Sequence, residues 1–295
     1  MPTVSVIVAT YRRDAELQRA LHSLTEQSHR DFEIILIDDN DDCQWNDAVE
    51  KIVSGFRKNH PMISLTYLQN HPHLGSAETR NVGINQSSGT YITFLDDDDV
   101  YLPAKIERQL LFMKNGGYDY SITDLHLYRE NGKPAGKRVR NYIQDTSGDA
   151  LFVYHMKYHI TGTDTMMFKR EYLVQIGGFP GIDVGDEFYL MQRAIDGGGR
   201  FGYLQGCDVK AYVHGMRGSL SSGQGKIDGE NKLFSHKSCF FHRLDRKTVR
   251  QIKVRHYAVL SYTYLRMKRF WRFFAYSLRS FGTSPLQFCK IIKSR

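Results

Sequence analysis

Four consecutive carboxylates, Asp96 to Asp99, stand directly after a short apolar run and could bind a cation. The run, Tyr91 to Leu95, is rich in β-branched and aromatic residues and is typical of a strand. Adjacent like charges repel one another, and a hard divalent cation with oxygen ligands would relieve that repulsion. A solvated loop, or the first turn of a helix that begins near Pro103, would also accept these acids. The tetrad therefore indicates a cation site or a polar loop at a strand end.

A second acidic cluster follows the apolar run Phe32 to Ile37 and extends from Asp38 to Asp42. Its Asp-x-Asn-x-Asp pattern resembles the start of a calcium loop, but Cys43 stands where that loop requires glycine. A nucleotide-binding carboxylate after the second strand is the favoured interpretation, and a helix cap is the alternative.

Strands and helices alternate over most of the chain. The predicted strands are Val4 to Thr10, Phe32 to Ile37, Ile63 to Leu68, Tyr91 to Leu95, Asp119 to Tyr128 and Val209 to Val213. The predicted helices are Asp14 to Gln27, Trp45 to Arg57, Gly75 to Asn85, Pro103 to Lys114 and Asp186 to Ala194, with a polar loop at Gly132 to Gly148 and a helical pattern from Gly229 onward. This order predicts an α/β fold with a mostly parallel sheet flanked by helices. Because parallel strands end at the same edge of a sheet, both acidic clusters can converge on one crevice.

Two further stretches carry groups that could act on a substrate. Asp186 and Glu187 open a predicted helix, where the helix dipole stabilises acids whatever their role. His214 follows a predicted strand, and a single histidine in that position is more often structural than a ligand. The pattern alone assigns a function to neither stretch.

Charge is divided unevenly along the chain. The net charge is +8, yet the residues from Lys237 onward hold 15 Lys and Arg against one acid, Asp245, while the first 236 residues carry a net charge of −6. Such asymmetry indicates an anionic partner such as a membrane surface or nucleic acid. Nucleic acid is disfavoured because no recognition motif accompanies the charge.

The stretch that begins at Arg266 has the pattern of an amphipathic helix. At about 100° per residue, its apolar side would hold Met267, Phe270, Trp271, Phe274, Leu278 and Phe281, and its basic side Lys268, Arg269, Arg272 and Arg279. Aromatic residues opposite basic ones are typical of a helix that lies in a membrane interface. We therefore expect an anionic membrane surface as partner; a helix packed on the body of the protein is the alternative.

The remaining features concern compartment and domain organisation. No run of about 18 apolar residues is present, the N-terminus lacks a basic signal-peptide segment, and the four cysteines lack metal-ligand spacing. We expect a cytoplasmic protein, peripheral to the inner face of the cell membrane. We predict an α/β domain over residues 1–222 and a basic helical region over residues 223–295, and leave the oligomeric state open, a homo-oligomer included.

Four stretches together resemble family 2 glycosyltransferases of the GT-A fold. They are Val4 to Arg13, Phe32 to Asp39, Gly75 to Ile84 and Gly89 to Asp99, and the likeness covers residues 1 to about 222. The resemblance implies a Rossmann-like, nucleotide-sugar-binding catalytic domain, with the basic region as a helical C-terminal extension.

The resemblance also implies roles for individual residues in binding the donor. The implied donor site consists of Thr10, Tyr11 and Arg13 in the base pocket, Asp39 as acceptor of a hydrogen bond from the base, typically uracil, Arg80 beside the nucleotide, and Gly162 and Thr163 at the boundary with the acceptor. Asp96 and Asp98 would form the Asp-x-Asp pair, with Asp98 the direct ligand of Mn²⁺ or Mg²⁺. Asp97 and Asp98 form the alternative register of that pair. His214 would reach the metal or the diphosphate.

The family's acidic base motif, usually Glu-Asp at a helix start, falls on Asp186 and Glu187 in reversed order. Leu190 and Arg193 keep the downstream spacing, so Glu187 stands where the base is expected and Asp186 remains a rival. A divalent ion neutralises the charge of a leaving diphosphate, and a carboxylate takes the proton from the attacking hydroxyl. The resemblance implies a single displacement and therefore inversion.

These features together favour an inverting, metal-dependent hexosyl- or N-acetylhexosaminyltransferase. The donor would be a nucleotide-sugar, most simply a UDP-sugar, and the acceptor a hydroxyl of a growing cell-surface polysaccharide or lipid-linked oligosaccharide. A sugar nucleotidyltransferase is disfavoured because no glycine-rich loop with lysine follows the first strand. A membrane-peripheral binding protein with a degenerate site is the alternative outside enzymes.

Overall fold

The computed structural model describes residues 1–182, 185–213 and 223–293, which fall into two compact units. The first unit comprises the described residues among 1–151 and 160–213, and the second comprises residues 152–159 with the described residues from 223 onward. The predicted division after residue 222 lies beside the undescribed range 214–222 and stays a prediction.

The described residues form the following elements. The strands are β1 (Val4–Thr10), β2 (Phe32–Asp38), β3 (Ser64–Gln69), β4 (Tyr91–Asp96), β5 (Val100–Tyr101), β6 (Tyr120–Arg129), β7 (Pro134–Arg138), β8 (Met166–Lys169) and β9 (Phe201–Val213). The helices are α1 (Ala15–Thr25), α2 (Cys43–Asn59), α3 (Ser76–Gln86), α4 (Lys105–Gly116), α5 (Gly148–Tyr158), α6 (Arg170–Gln175), α7 (Asp186–Asp196), α8 (Gly223–Ser238), α9 (Arg246–Arg266), α10 (Phe270–Thr283) and α11 (Pro285–Lys293).

One half of the sheet is parallel, with strand order β3-β2-β1-β4. Strand β1 lies between β2 and β4, so that Thr10 is level with Asp38 and Ala9 is level with Asp96. All residues of β2 are buried, as are all but one of β1. Their continuous apolar sequences are explained by this position, because a central parallel strand is covered by helices on both faces. The predicted α/β class is confirmed here, and the strands that carry the two acidic clusters end on either side of the end of β1.

The other half of the sheet is mixed, in the order β4-β8-β6-β9-β5, with β7 paired to β6. Strand β8 is antiparallel to both β4 and β6, while β6 and β9 run parallel. The polar segment that was expected to be a loop contains β7, whose residues are all exposed. It forms an edge strand by backbone pairing alone, so no alternation of apolar residues marks it in the sequence.

Helix α3 approaches the sheet closely because of one glycine. A Cβ atom at Gly83 would lie 2.5 Å from Cγ2 of Ile7 and 2.8 Å from Cδ1 of Ile37. Any larger side chain would therefore push α3 away from β1 and β2. Since Arg80 lies one turn earlier on α3, this contact fixes how far its guanidinium reaches over the strand ends.

The second unit is helical and has a core of its own. Ile227 of α8 packs with Leu260 and Tyr264 of α9, and Phe273 and Tyr276 of α10 lie against them. Polar contacts join α9 to α10 along the same side: the Ser261 and Ser277 hydroxyls lie 2.7 Å apart, and the Ser280 hydroxyl donates to the Val254 carbonyl at 2.9 Å.

The amphipathic segment differs from its prediction at its beginning. Helix α9 ends at Arg266, α10 begins at Phe270, and Lys268 has a left-handed backbone with φ of 58°. Lys268 and Arg269 therefore belong to a turn, and the prediction that they form the basic side of one continuous helix was wrong. Among the described residues, no helix combines the length and the apolar character needed to cross a membrane.

Candidate functional site

The acidic tetrad turns its side chains in two directions. Asp97 faces the loop after β1, where its Oδ2 accepts hydrogen bonds from the Thr10 hydroxyl at 2.8 Å and the Tyr11 amide at 3.2 Å. Arg13 forms an ion pair with Asp98 and places its Nε 3.4 Å from Asp97 Oδ1. Burial raises the pKa of Asp97 to about 6. Asp97 thus fastens the loop that carries the predicted base pocket to the end of β4.

The other two acids of the tetrad meet a carboxylate from elsewhere in the chain. Carboxylate oxygens of Asp96, Asp99 and Asp164 all lie within 4.8 Å of one another. Asp164 accepts the Asp96 amide at 2.6 Å, and Asp99 accepts the Tyr212 amide at 2.8 Å. Burial and the neighbouring carboxylates raise the pKa of both tetrad acids well above the ordinary range. Three crowded oxygen donors of like charge suit a hard divalent cation.

Asp164 was not anticipated from the sequence. It stands alone between threonines in a short 3-10 turn, Thr163–Thr165, that leads into β8. Only the antiparallel pairing of β8 with β4 brings this turn beside the tetrad, and no local pattern records such a long-range pairing. The one sequence signal that could have indicated Asp164 was its position next to Gly162 and Thr163, two residues to which the resemblance assigns a place in the donor site.

A buried lysine supports the acidic cluster from α4. Lys105 Nζ donates to the Tyr101 hydroxyl at 2.8 Å and also bonds the Thr93 hydroxyl. The same Tyr101 hydroxyl contacts the Asp164 carbonyl at 3.3 Å. Burial lowers the pKa of Lys105 to about 7. This network fixes the turn that presents Asp164.

Arg80 joins the acidic cluster to the predicted base motif. Its Nη2 lies 2.6 Å from Asp96 Oδ1, and its Nη1 forms an ion pair with Asp186. The guanidinium also lies over the Phe179 ring, with its carbon 5.5 Å from the centroid. One largely buried side chain, 11% exposed, therefore connects the end of β4 with the start of α7.

The two acids at the start of α7 have different surroundings. Asp186 is buried and accepts from the Ser76 hydroxyl at 3.1 Å and the Glu187 amide at 2.8 Å, in addition to its ion pair with Arg80. Glu187 is partly buried, and desolvation together with the charge of Asp186 raises its pKa to about 8. Asp186 is thus held in a network of donors, whereas Glu187 has the raised pKa of a group that exchanges a proton near neutral pH.

Asp39, predicted to bind the donor base, is surrounded by hydrogen-bond donors. Its carboxylate accepts from the Leu74 amide at 2.9 Å, the Gly75 amide at 2.9 Å and the Asn70 side-chain amide at 2.8 Å, and it lies 2.8 Å from His73 Nδ1. The His73 ring lies on the Tyr11 ring with centroids 4.5 Å apart. His73, which sequence reasoning missed, therefore links Asp39 to Tyr11.

The other predicted positions lie as follows. Thr163 is buried, and the Gly162 carbonyl accepts the Thr165 amide at 2.9 Å, so both residues shape the turn that carries Asp164. His214 lies outside the described residues, and its predicted contact with the metal or diphosphate stays a prediction.

Residues 5–177 match the family model described as Glycosyl transferase family 2. TuaG of Bacillus subtilis, named for teichuronic acid biosynthesis, is 33% identical over 175 residues, which are 59% of this chain and 65% of TuaG. The GalNAc(5)-diNAcBac-PP-undecaprenol beta-1,3-glucosyltransferase of Campylobacter jejuni is 36% identical over 130 residues, 44% of this chain and 40% of that protein. The matched segments thus span less than two thirds of these relatives.

Two solved structures share the fold at low sequence identity. S. aureus TarS 1-349 in complex with UDP-GlcNAc has a TM-score of 0.62 and 15% identity, over 95% of this chain and 91% of that chain. The Pyrobaculum calidifontis mannosyltransferase PcManGT, in complex with GDP-Man and Mn²⁺, has a TM-score of 0.59 and 18% identity, over 95% and 86%. With the family match over more than half of the sequence, this chain belongs to glycosyl transferase family 2.

Proposed function

We propose that this chain transfers a hexosyl or N-acetylhexosaminyl group from a nucleotide-sugar to an acceptor hydroxyl. The acceptor is a growing cell-surface polysaccharide or a lipid-linked oligosaccharide. The transfer inverts the anomeric configuration and uses a divalent metal. The observation that carries the proposal is the Asp96–Arg80–Asp186 bridge. It links the acidic cluster suited to a cation with the first turn of α7, where Glu187 has a raised pKa. A displacement at a sugar carbon needs both groups, a cation for the leaving diphosphate and a base for the attacking hydroxyl.

The carboxylates fit Mn²⁺ or Mg²⁺, because all of them offer hard oxygen atoms and the three-acid cluster is crowded with like charge. We assign Asp96, Asp99 and Asp164 to the cation, with Asp98 as the additional ligand implied by the resemblance. When bound, the cation would neutralise the charge that develops on the leaving diphosphate.

Glu187 is the proposed general base. Its carboxylate removes the proton of the acceptor hydroxyl while that oxygen attacks the anomeric carbon and the bond from this carbon to the diphosphate oxygen breaks. A single displacement of this kind inverts the configuration. Asp186 acts as a positioning residue, because its donors from Arg80 and Ser76 hold the first turn of α7 in place.

Support for a UDP-sugar as donor comes from Tyr11, His73 and Asp39, which bring two aromatic rings and a carboxylate together. Rings of this kind stack on any nucleobase, and TarS, which shares the fold, was solved with UDP-GlcNAc. A GDP-sugar is the competing donor, since PcManGT was solved with GDP-Man.

We also propose that the protein works at the inner face of the cell membrane, held there by α10. Its large apolar side chains are exposed although the helix is packed on α9, with Trp271 at 90% and Leu278 at 70%. Phe270, Phe274 and Phe281 are exposed on the same helix. An aromatic apolar face on a basic segment suits an anionic lipid surface, and the name of the Campylobacter relative includes a polyprenyl-linked glycan.

The experiment that tests the proposed activity is the release of nucleoside diphosphate from a panel of UDP- and GDP-sugars with Mn²⁺. We expect release from one donor, faster with an added polyprenyl-diphosphate-linked saccharide and abolished by a chelator. Equal release with and without the protein for every donor would favour the binding protein with a degenerate site.

A further inference from the structure

We propose that Arg13 is an exchangeable counter-ion, which occupies Asp98 until the diphosphate of the donor draws the guanidinium away and releases that carboxylate to the metal. This inference rests on the proposed function and adds an order to it: Asp98 becomes available to the cation only after, or together with, nucleotide binding.

The geometry of Arg13 supports exchange. Arg13 lies in the loop between β1 and α1, two residues after Tyr11 of the base pocket, and its guanidinium contacts two acids of the tetrad. Asp97 is fastened separately by the Thr10 hydroxyl and the Tyr11 amide. The loop therefore keeps its attachment to β4 through Asp97 even when Arg13 leaves Asp98.

A comparison of the two arginines shows why Arg13, and not Arg80, is the side chain that exchanges. The Arg80 side chain is 11% exposed, and both ends of its guanidinium bind carboxylates. The Arg13 side chain is 31% exposed and its partner Asp98 is 14% exposed, and the contact of Arg13 with Asp97 is 3.4 Å long. Solvent screens an ion pair whose cation is partly exposed. We therefore expect Arg13 to exchange more readily than Arg80, whose pair with the 6% exposed Asp186 is costly to break.

The chemistry of the two anions gives the direction of exchange. Arginine binds phosphate oxygens with two parallel N–H donors, and these charge-assisted bonds are stronger than a contact with one carboxylate oxygen. A diphosphate also carries more charge than Asp98. Transfer of Arg13 to the phosphates would therefore replace one anionic partner by a better one and expose Asp98 to the cation.

Competition between Arg13 and the cation for Asp98 has a consequence for Mn²⁺ affinity that can be measured. If Arg13 competes with the cation for Asp98, the affinity for Mn²⁺ alone is low, and removal of the guanidinium should raise it on the order of tenfold, a usual coupling between interacting sites. The raised affinity should depend on Asp98, because the competition concerns that carboxylate only.

The test is calorimetric titration with Mn²⁺ in the absence of nucleotide. We expect Arg13→Gln to bind Mn²⁺ about tenfold more tightly than wild type, within the range of usual coupling energies. Arg13→Lys, which keeps the charge, should behave as wild type. Arg12→Gln is the matched control, because it removes the same charge from the same loop. The guanidinium carbon of Arg12 lies 5.1 Å from the centroid of the Tyr11 ring, and within the described residues Arg12 forms no ion pair with the tetrad.

The outcomes separate this inference from the proposed function. Unchanged or weaker Mn²⁺ binding by Arg13→Gln would overturn the inference, as would a gain that persists in Arg13→Gln combined with Asp98→Asn. If wild type and variants bind no Mn²⁺ even with UDP or GDP, the metal-dependent function fails as well. Thermal unfolding of each variant shows whether a loss reflects misfolding.

Discussion

Replacement of Glu187 by Gln is the sharpest perturbation of the proposed chemistry, because it removes the base and leaves the shape of the side chain. The raised pKa of about 8 means that only about a tenth of Glu187 is ionised at pH 7, since one pH unit changes the ratio of the two forms tenfold. The base acts in its ionised form, so kcat/KM should rise with pH up to about 8 and then level off.

The variant should lose about 10²- to 10⁴-fold in kcat, the usual contribution of a positioned base, and should also lose the rise with pH. Glu171→Gln is the matched control, because Glu171 is an exposed acid in the first turn of α6. Asp186→Asn should reduce activity less and should lower thermal stability, since Arg80 would lose one ion-pair partner inside the protein. The assay is steady-state release of nucleoside diphosphate from pH 6 to 9.5. A wild-type profile that is flat over this range, or a Glu187→Gln variant with near-normal kcat, would refute the assignment.

Three further predictions concern the metal site, the fold and the membrane. Asp164→Asn should weaken Mn²⁺ binding at least about tenfold, as loss of a charged oxygen ligand does, and unchanged affinity in calorimetry would exclude Asp164 as a ligand. Gly83→Ala should cost about 1–3 kcal/mol of unfolding free energy through overpacking against Ile7, and a denaturation midpoint equal to wild type would contradict the close approach of α3. A triple variant, Trp271→Ser with Phe274→Ser and Leu278→Ser, should no longer co-sediment with anionic vesicles, at an unchanged Tm. The control Leu111→Ser, which replaces an exposed leucine of α4, should bind vesicles as wild type does. Vesicle binding by the triple variant would show that α10 does not hold the protein at the membrane.

The parallel half of the sheet could be predicted because its sequence signals are local. Strands β1, β2 and β4 are buried apolar runs, and α1 buries Leu17, Ala20, Leu21 and Leu24 at the predicted spacing. Since each of these strands ends at the same edge, the position of the Asp38 and Asp96 clusters at that edge follows from topology alone.

The missed features depend on contacts between distant parts of the chain. Asp164 reaches the tetrad through the pairing of β8 with β4, and His73 reaches Tyr11 through the loop that follows β3. Strand β7 is fully exposed and has no apolar pattern. The break between α9 and α10 was not predicted because a helical wheel assumes one continuous helix. It carries no information on the left-handed backbone of Lys268.

The different contacts of the four tetrad acids also could not be predicted from the sequence. Four identical residues give no register, and the choice between Asp97 and Asp98 as partner of Asp96 stayed open. The structure shows that Asp97 bonds the loop after β1 and that Asp98 pairs with Arg13. The role of Asp98 as a metal ligand remains a prediction, as do the roles of Glu187 and Asp186.

Calorimetric titration with UDP, GDP and CDP, each with and without Mn²⁺, tests the central claim most directly. The account predicts that one nucleotide, UDP foremost, binds in a Mn²⁺-dependent manner and that Asp98→Ala abolishes this dependence while the protein stays folded. Binding of none of the three, or binding that is equally strong without the metal and in Asp98→Ala, would contradict the proposal of a metal-dependent glycosyltransferase.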